Sequence, residues 1–282
     1  MTTEGLYAEF FGLQERPFNL LPDPSMIYWS PQHSRAITVL RFGLMSRAPV
    51  TLISGEIGAG KTTLVQALLK DIDEDLTVGL ISNAQGGRGE LLRWILNAFG
   101  IEAGKDEDYV RLFQRFQDFL LKEYAEGRRV VLVIDEAQNL SSEGLEEVRM
   151  LTNINSNKDE LIQLILVGQP ELRDIVRAPN MRQLAQRVAA SFHLERLDLE
   201  RVRNYIRHRL QAVGGTGDEI QPEAVDLIFE HTGGVPRLVN QLADFAMIYA
   251  WSGEQRVVTP KEVQSVLDDG VFFGDITTGA SA

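Results

Sequence analysis

The sequence predicts an α/β protein with a parallel sheet core and a small C-terminal helical domain, and three observations lead there. Short, continuously apolar runs occupy residues 50–54, 77–82, 130–134 and 161–167. Apolar residues at helical spacing fill the stretches between them. After Glu195 only the helical periodicity remains. Apolar runs without polar alternation suit strands covered on both faces. Strands alternating with helices imply a parallel sheet with right-handed crossovers.

Taken in order, the first strand is VTLIS at residues 50–54 and stops at Gly55. A helix follows over about residues 61–69, with Leu64, Val65, Leu68 and Leu69 as its apolar positions. After the second strand, Leu91, Leu92, Ile95 and Phe99 fall on one helical face. Tyr109, Leu112, Phe113, Phe116, Phe119 and Leu120 make a wide stripe that reads as core packing. VVLVI at 130–134 and LIQLILV at 161–167 complete the expected strands. Helices are then expected over 198–213, 222–231 and 235–251. A last one opens at Thr259-Pro260-Lys261-Glu262, a capping box with proline at the first helical position. The expected organisation is an α/β domain with an N-terminal strap over residues 1–195, a helical domain over 196–272, and a disordered tail over 273–282.

Composition narrows the chemistry. The chain has 282 residues, enough for a sizeable core. Twenty-eight basic against 40 acidic residues give a net charge of -12, which removes any general attraction for nucleic acid or anionic lipid. A local basic patch stays compatible with that charge. There is no cysteine, so disulfides, thiolate metal sites and thiol nucleophiles are excluded. The four histidines, His33, His193, His208 and His231, have no metal-ligand spacing. The N-terminus lacks the pattern of a secretory signal, and no run reaches the ~18 apolar residues of a membrane span. The expectation is a cytoplasmic protein.

Residues 55–62 read Gly55-Glu56-Ile57-Gly58-Ala59-Gly60-Lys61-Thr62, the pattern G-x-x-x-x-G-K-[ST], with Thr63 beside it. Glycines let the backbone curl so that its N–H groups turn toward phosphate oxygens. Lys61 supplies charge to the β- and γ-phosphates, and the Thr62 hydroxyl is placed to coordinate magnesium. The following helix aims its positive end at the phosphates. The loop follows a β-branched strand and opens an amphipathic helix, the context this chemistry requires. ATP with Mg2+ is the expected ligand.

The strand at 130–134 runs into Asp135-Glu136. Two carboxylates at the end of a buried strand are costly unless a cation or donor meets them. Asp135 is assigned to the metal. Glu136 is assigned to general base or water positioning. The alternative is an N-cap for the next helix. Asp135-Glu136-Ala137-Gln138 also has the letters of a helicase acidic motif, but the residues after Glu195 are too few for a second motor domain.

At this point the chain resembles a family. It is similar to P-loop NTPases of the AAA+ class, of the ExeA/GspA type tied to general secretion, pilus and exopolysaccharide loci, and related to transposition ATPases such as TniB and TnsC. The residues carrying the resemblance extend from Gly5 to Gly270. They include Phe10-Phe11-Gly12-Leu13, Pro17-Phe18, Pro22-Asp23-Pro24, Ser30 and His33, the loop GEIGAGKTT, Val133 to Gln138, Leu166 to Leu172, Gln186-Arg187 and Thr232 to Arg237. The helical domain is then expected to be a lid over the nucleotide.

The resemblance also implies roles. Gln169, after the fourth strand, is expected to sense the γ-phosphate, although Asn or Thr is more usual there. Arg187, with Arg182 as fallback, is expected to reach a neighbouring subunit's site. Arg237 in the lid is expected to touch the nucleotide of its own subunit; Gly233-Gly234-Val235-Pro236 is otherwise a plain helix start. Tyr28 and His33 are candidates for the adenine pocket, against a reading of residues 17–33 as a packed strap. The partners implied are further copies of the chain, in an ATP-dependent ring or filament, and an envelope or secretion protein. The ExeA type often continues into a membrane span and a peptidoglycan-binding domain. This chain ends at Ala282, so any envelope role is expected to pass through a partner, peripherally at the inner membrane. Two other readings stand beside the enzyme: a nucleotide-gated binding switch, and a DNA-associated ATPase of the transposition kind, which the charge disfavours.

Overall fold

The structure, a computed structural model, describes residues 7–70, 75–82, 89–104, 107–156 and 159–274. Residues 275–282 of the expected tail and Gly5 of the family match lie outside the described residues. The elements run α1 (Ala8–Phe11), α2 (Pro31–Met45), β1 (Val50–Gly55), α3 (Lys61–Lys70), β2 (Leu76–Ile81), α4 (Glu90–Ala98), α5 (Tyr109–Ala125) and β3 (Arg129–Ile134). Then come α6 (Ser142–Leu151), β4 (Asn155–Ser156), β5 (Asp159–Glu160), β6 (Ile162–Gly168), α7 (Pro170–Arg177), α8 (Arg182–Arg187) and β7 (Val188–Leu194). Among the described residues four helices then follow: α9 (Leu199–Ala212), α10 (Pro222–Thr232), α11 (Pro236–Ser252) and α12 (Pro260–Asp268).

Two compact units emerge. One is formed by residues 34–55 and 64–194, the other by residues 1–33, 56–63 and 195–282. The first holds a five-stranded sheet in the order β2-β3-β6-β1-β7, with every pairing parallel. The register sets Leu52 against Leu166 and Val133 against Ile165. The runs at β1, β3 and β6 are buried almost end to end, as strands with helices on both faces must be. Leu91, Leu92, Ile95, Phe116 and Leu120 cover Leu132, Ile134, Leu164 and Leu166. The aromatic stripe of α5 is core packing: Phe116 is fully buried, and Phe119 lies 5.0 Å from the Phe99 ring centre.

β7 has no counterpart among the apolar runs. It is an edge strand, VAASFHL, with Ala189 and Ser191 exposed and Ala190 and Leu194 buried. Pairing on one side only permits polar and small residues that a central strand would not hold. The β4–β5 pair is an antiparallel hairpin of two-residue strands.

The second unit is a helical core built from Val202, Ile206 and Leu210 of α9, Ile228 of α10, Leu242 and Ala246 of α11, and Val263 of α12. Sequence order groups the N-terminal strap with the sheet; its apolar side chains instead join this helical core. Tyr7, Phe18 and Met26 are buried there. Arg209, itself buried, donates from Nε to the Pro17 carbonyl at 2.6 Å, and the Tyr7 hydroxyl and Arg16 both bond Asp244. The α12 capping box forms as its sequence requires. No helix among the described residues is long and apolar enough to cross a membrane.

Candidate functional site

Residues 56–60 form a tight loop between the end of β1 and the start of α3. Gly58 and Gly60 have φ values of 80° and 94°, the left-handed region that costs glycine little. The Ala59 N–H closes the turn on the Glu56 carbonyl at 3.1 Å. Lys61 opens α3, is nearly buried, and curls back so that Nζ donates to the Glu56 carbonyl at 2.9 Å. Thr62 and Thr63 are half-buried in the first turn of α3. Ile57 stands exposed at the tip. Glu56 ion-pairs Arg196 at 3.1 Å.

Two segments of the helical unit touch this loop from outside. The Arg237 N–H, in the first turn of α11, donates to the Gly58 carbonyl at 3.2 Å. A Cβ on Gly58 would stand 2.5 Å from the Arg237 Cβ, so the approach itself requires glycine. Arg237 is thereby placed at the loop with its side chain exposed. His33, in the first turn of α2, is buried; its Nε2 lies 3.2 Å from the Ala59 carbonyl and its Nδ1 2.8 Å from Ser30 Oγ. Burial pushes the imidazole below its ordinary value. Tyr28 packs against Tyr205 and His208.

The sheet unit carries the acidic residues. Asp135 follows β3, nearly buried, and its N–H bonds the Ile81 carbonyl of β2 at 2.8 Å. Asp135 Oδ1 accepts from the Glu136 N–H at 2.9 Å. Glu136 is a non-glycine residue in the left-handed region, φ 54° and ψ 38°. Its carboxylate is gripped by two amides: Nε2 of Gln138 at 2.6 Å and Nε2 of Gln169 at 3.2 Å, both on Oε2. Gln138 completes the arrangement by accepting from the Gln169 N–H through Oε1 at 3.0 Å. Glu136, Gln138 and Gln169 converge because β3 and β6 are neighbours and both end at the same sheet edge. That edge, beyond the carboxyl ends of parallel strands, is where ligands of open α/β sheets bind. Gln138 lies in the quoted Asp-Glu-Ala-Gln stretch, but its letters alone assign it no task.

Arg187 is elsewhere. It precedes β7, so it sits at the opposite edge of the sheet, about 20 Å away along a seven-residue strand. It bonds Asn153 Oδ1 at 2.6 Å and Glu160 Oε1 at 3.4 Å. Arg182 is exposed at the start of α8.

Comparison with known proteins agrees with this architecture. A family described as AAA domain matches residues 44–176. The chain is 36% identical over 274 residues to general secretion pathway protein A of Aeromonas hydrophila, across 95% of this chain and 50% of that protein. The chain thus spans half the length of that curated relative. Among solved structures, Cdc6p from Pyrobaculum aerophilum superposes with a TM-score of 0.70 at 15% identity, covering 88% of this chain and 71% of that one. The Aeropyrum pernix ORC2 protein, in ADPNP-ADP complexes, gives 0.62 at 18% identity, covering 86% and 71%. At such identities the likeness shows the fold alone. The motifs, the sheet order and the match to the AAA domain together show an AAA-type P-loop fold, and across nearly its whole length the chain is similar to general secretion pathway protein A, a protein of the ExeA/GspA type.

Proposed function

We propose that this chain binds ATP with magnesium through residues 55–63 and hydrolyses it, using the cycle to assemble or remodel a partner complex. The carrying observation is the hold on Glu136: an αL backbone and two side-chain amides fix one carboxylate at the ligand edge of the sheet. Strain of this kind in a non-glycine residue is kept where the surroundings over-determine it, often at functional sites. Glu136 would direct water at the γ-phosphate, with Gln169 reporting the phosphate's presence through the same contact. Lys61 would release the Glu56 carbonyl to meet phosphate oxygens, and Arg237 would meet them from the helical unit.

By their motifs Thr62 and Asp135 would be the residues to hold magnesium, a hydroxyl and a carboxylate oxygen being hard donors that suit that ion. Bound there, the ion would neutralise charge on the phosphates. Arg187 would serve the site of a second copy, because its own chain keeps it at the far sheet edge. The relative named for general secretion supports a client in secretion; a client in pilus or exopolysaccharide export would follow from the family resemblance alone.

Changing Glu136→Gln tests the assignment. Nucleotide affinity should stay within about twofold of wild type while turnover falls at least 100-fold, a removed general base being worth about 10²–10⁴. Unaltered hydrolysis would sink the assignment. A second reading, a nucleotide-gated switch with little hydrolysis of its own, draws on the same contacts. Both amides occupy Oε2 of Glu136, so release of one of them would be the gated step. ATP-dependent capture of a partner by the Glu136→Gln variant, without measurable wild-type turnover, would favour it.

A further inference from the structure

We propose that His33 is a positioning residue for the phosphate loop: by holding the Ala59 carbonyl it sets the direction of the Gly60 N–H, a donor to the nucleotide's β-phosphate. The proposal rests on reading residues 55–62 as a phosphate loop.

A peptide group is planar and trans, so its C=O and N–H point in opposite directions. The Ala59 carbonyl is turned toward the His33 ring, with Nε2 at 3.2 Å. The Gly60 N–H of the same peptide is therefore turned away from that ring. A carbonyl only accepts, so Nε2 carries the proton and Nδ1 accepts from the Ser30 hydroxyl at 2.8 Å. Both ring nitrogens are thus satisfied, as a ring only 8% exposed requires. The Ser30 hydroxyl also accepts from the His33 N–H at 3.3 Å, which ties the ring's partner to the first turn of α2.

A Cβ on Gly60 would lie 3.2 Å from His33 Nε2, so the ring abuts the loop backbone. The preceding carbonyl, that of Gly58, is held by the Arg237 N–H at 3.2 Å. Two successive carbonyls are therefore tethered from outside the loop, one by backbone and one by a side chain. A glycine-rich loop has many accessible backbone states, and orienting it beforehand lowers the cost of binding. His33, Ser30, Ala59 and Gly60 all belong to one compact unit.

The test is a fluorescence titration with a labelled ADP, with unlabelled ADP, ATP and AMP as competitors. His33→Ala should weaken ADP and ATP by about 10- to 100-fold, the worth of a hydrogen bond to a charged group. AMP, which has no β-phosphate, should change little. His33→Gln keeps an N–H donor at about the reach of Nε2 and should restore most of the ADP affinity. His33→Asn, one methylene shorter, should not. The comparison of Gln with Asn holds even where His33→Ala folds poorly, each variant being checked by its melting temperature. Equal ADP affinity in wild type and His33→Ala would overturn the proposal. So would parallel losses of ADP and AMP, which would make the ring a packing element only. Absence of ADP binding by wild type would overturn the phosphate-loop reading itself, and this proposal with it.

Discussion

Glu136 carries the backbone strain of the acidic edge. A left-handed conformation costs a side-chain-bearing residue about 1–2 kcal/mol, and the bond from the Asn139 N–H to the Glu136 carbonyl at 2.9 Å helps hold it. Gln138 touches both Glu136 and Gln169, so its effect on the carboxylate would run through those two contacts. Replacing it, Gln138→Ala, should lower kcat about tenfold, equivalent to about 1.4 kcal/mol, and leave nucleotide affinity unchanged. A rise in kcat would mean that the amides act as a brake and would support the switch reading. The loop and the acidic pair are legible in the sequence because their residue types and spacing are themselves the signal. The meeting of Gln138 with Gln169 is not, because it depends on β3 lying beside β6, an order that one sequence does not reveal.

At the scale of elements, the polar joints are as informative as the apolar faces. Glu123 on α5 accepts from Thr77 of β2 and pairs with Arg128 before β3, so three segments meet on one buried carboxylate. Chiefly through the Arg128 hydrogen bonds, its pKa is held down from the ordinary 4.5 to about 2. A depressed carboxylate stabilises the fold above its unfolded value, and that stability is lost as pH falls from about 4.5 toward 2. Glu123→Gln should therefore lower the melting temperature at pH 7 and flatten the acid limb between pH 5 and pH 3, as thermal melts across that range would show. An acid limb identical to wild type would remove Glu123 from the account. Thr259 supplies a second case. Its side chain caps α12 while Glu262 reaches back to the Thr259 N–H at 2.8 Å. Thr259→Ala should cost about 1 kcal/mol, read by denaturant unfolding. That capping box and the runs of β1, β3 and β6 are plain in the sequence. β7 is not, because an edge strand of small and polar residues lacks the apolar run by which buried strands are read.

For the whole molecule, the question is what a single copy contains. Its sheet brings Asp135, Glu136 and Gln169 to the carboxyl edge and leaves Arg187 at the other, bonded to Asn153 and Glu160. On the proposed reading Arg187 would serve chemistry in another copy, and contact between unlike edges would build a ring or filament. Arg187→Ala should then lower turnover by about 10³ or more at protein concentrations that saturate wild type. The most direct measurement is ATP hydrolysis per protomer, with magnesium, as a function of protein concentration. If the site is shared between copies, the specific rate is near zero at low concentration and climbs steeply as copies associate. A measurable rate that stays flat across the range would show the site to be complete within one chain and would contradict a shared site.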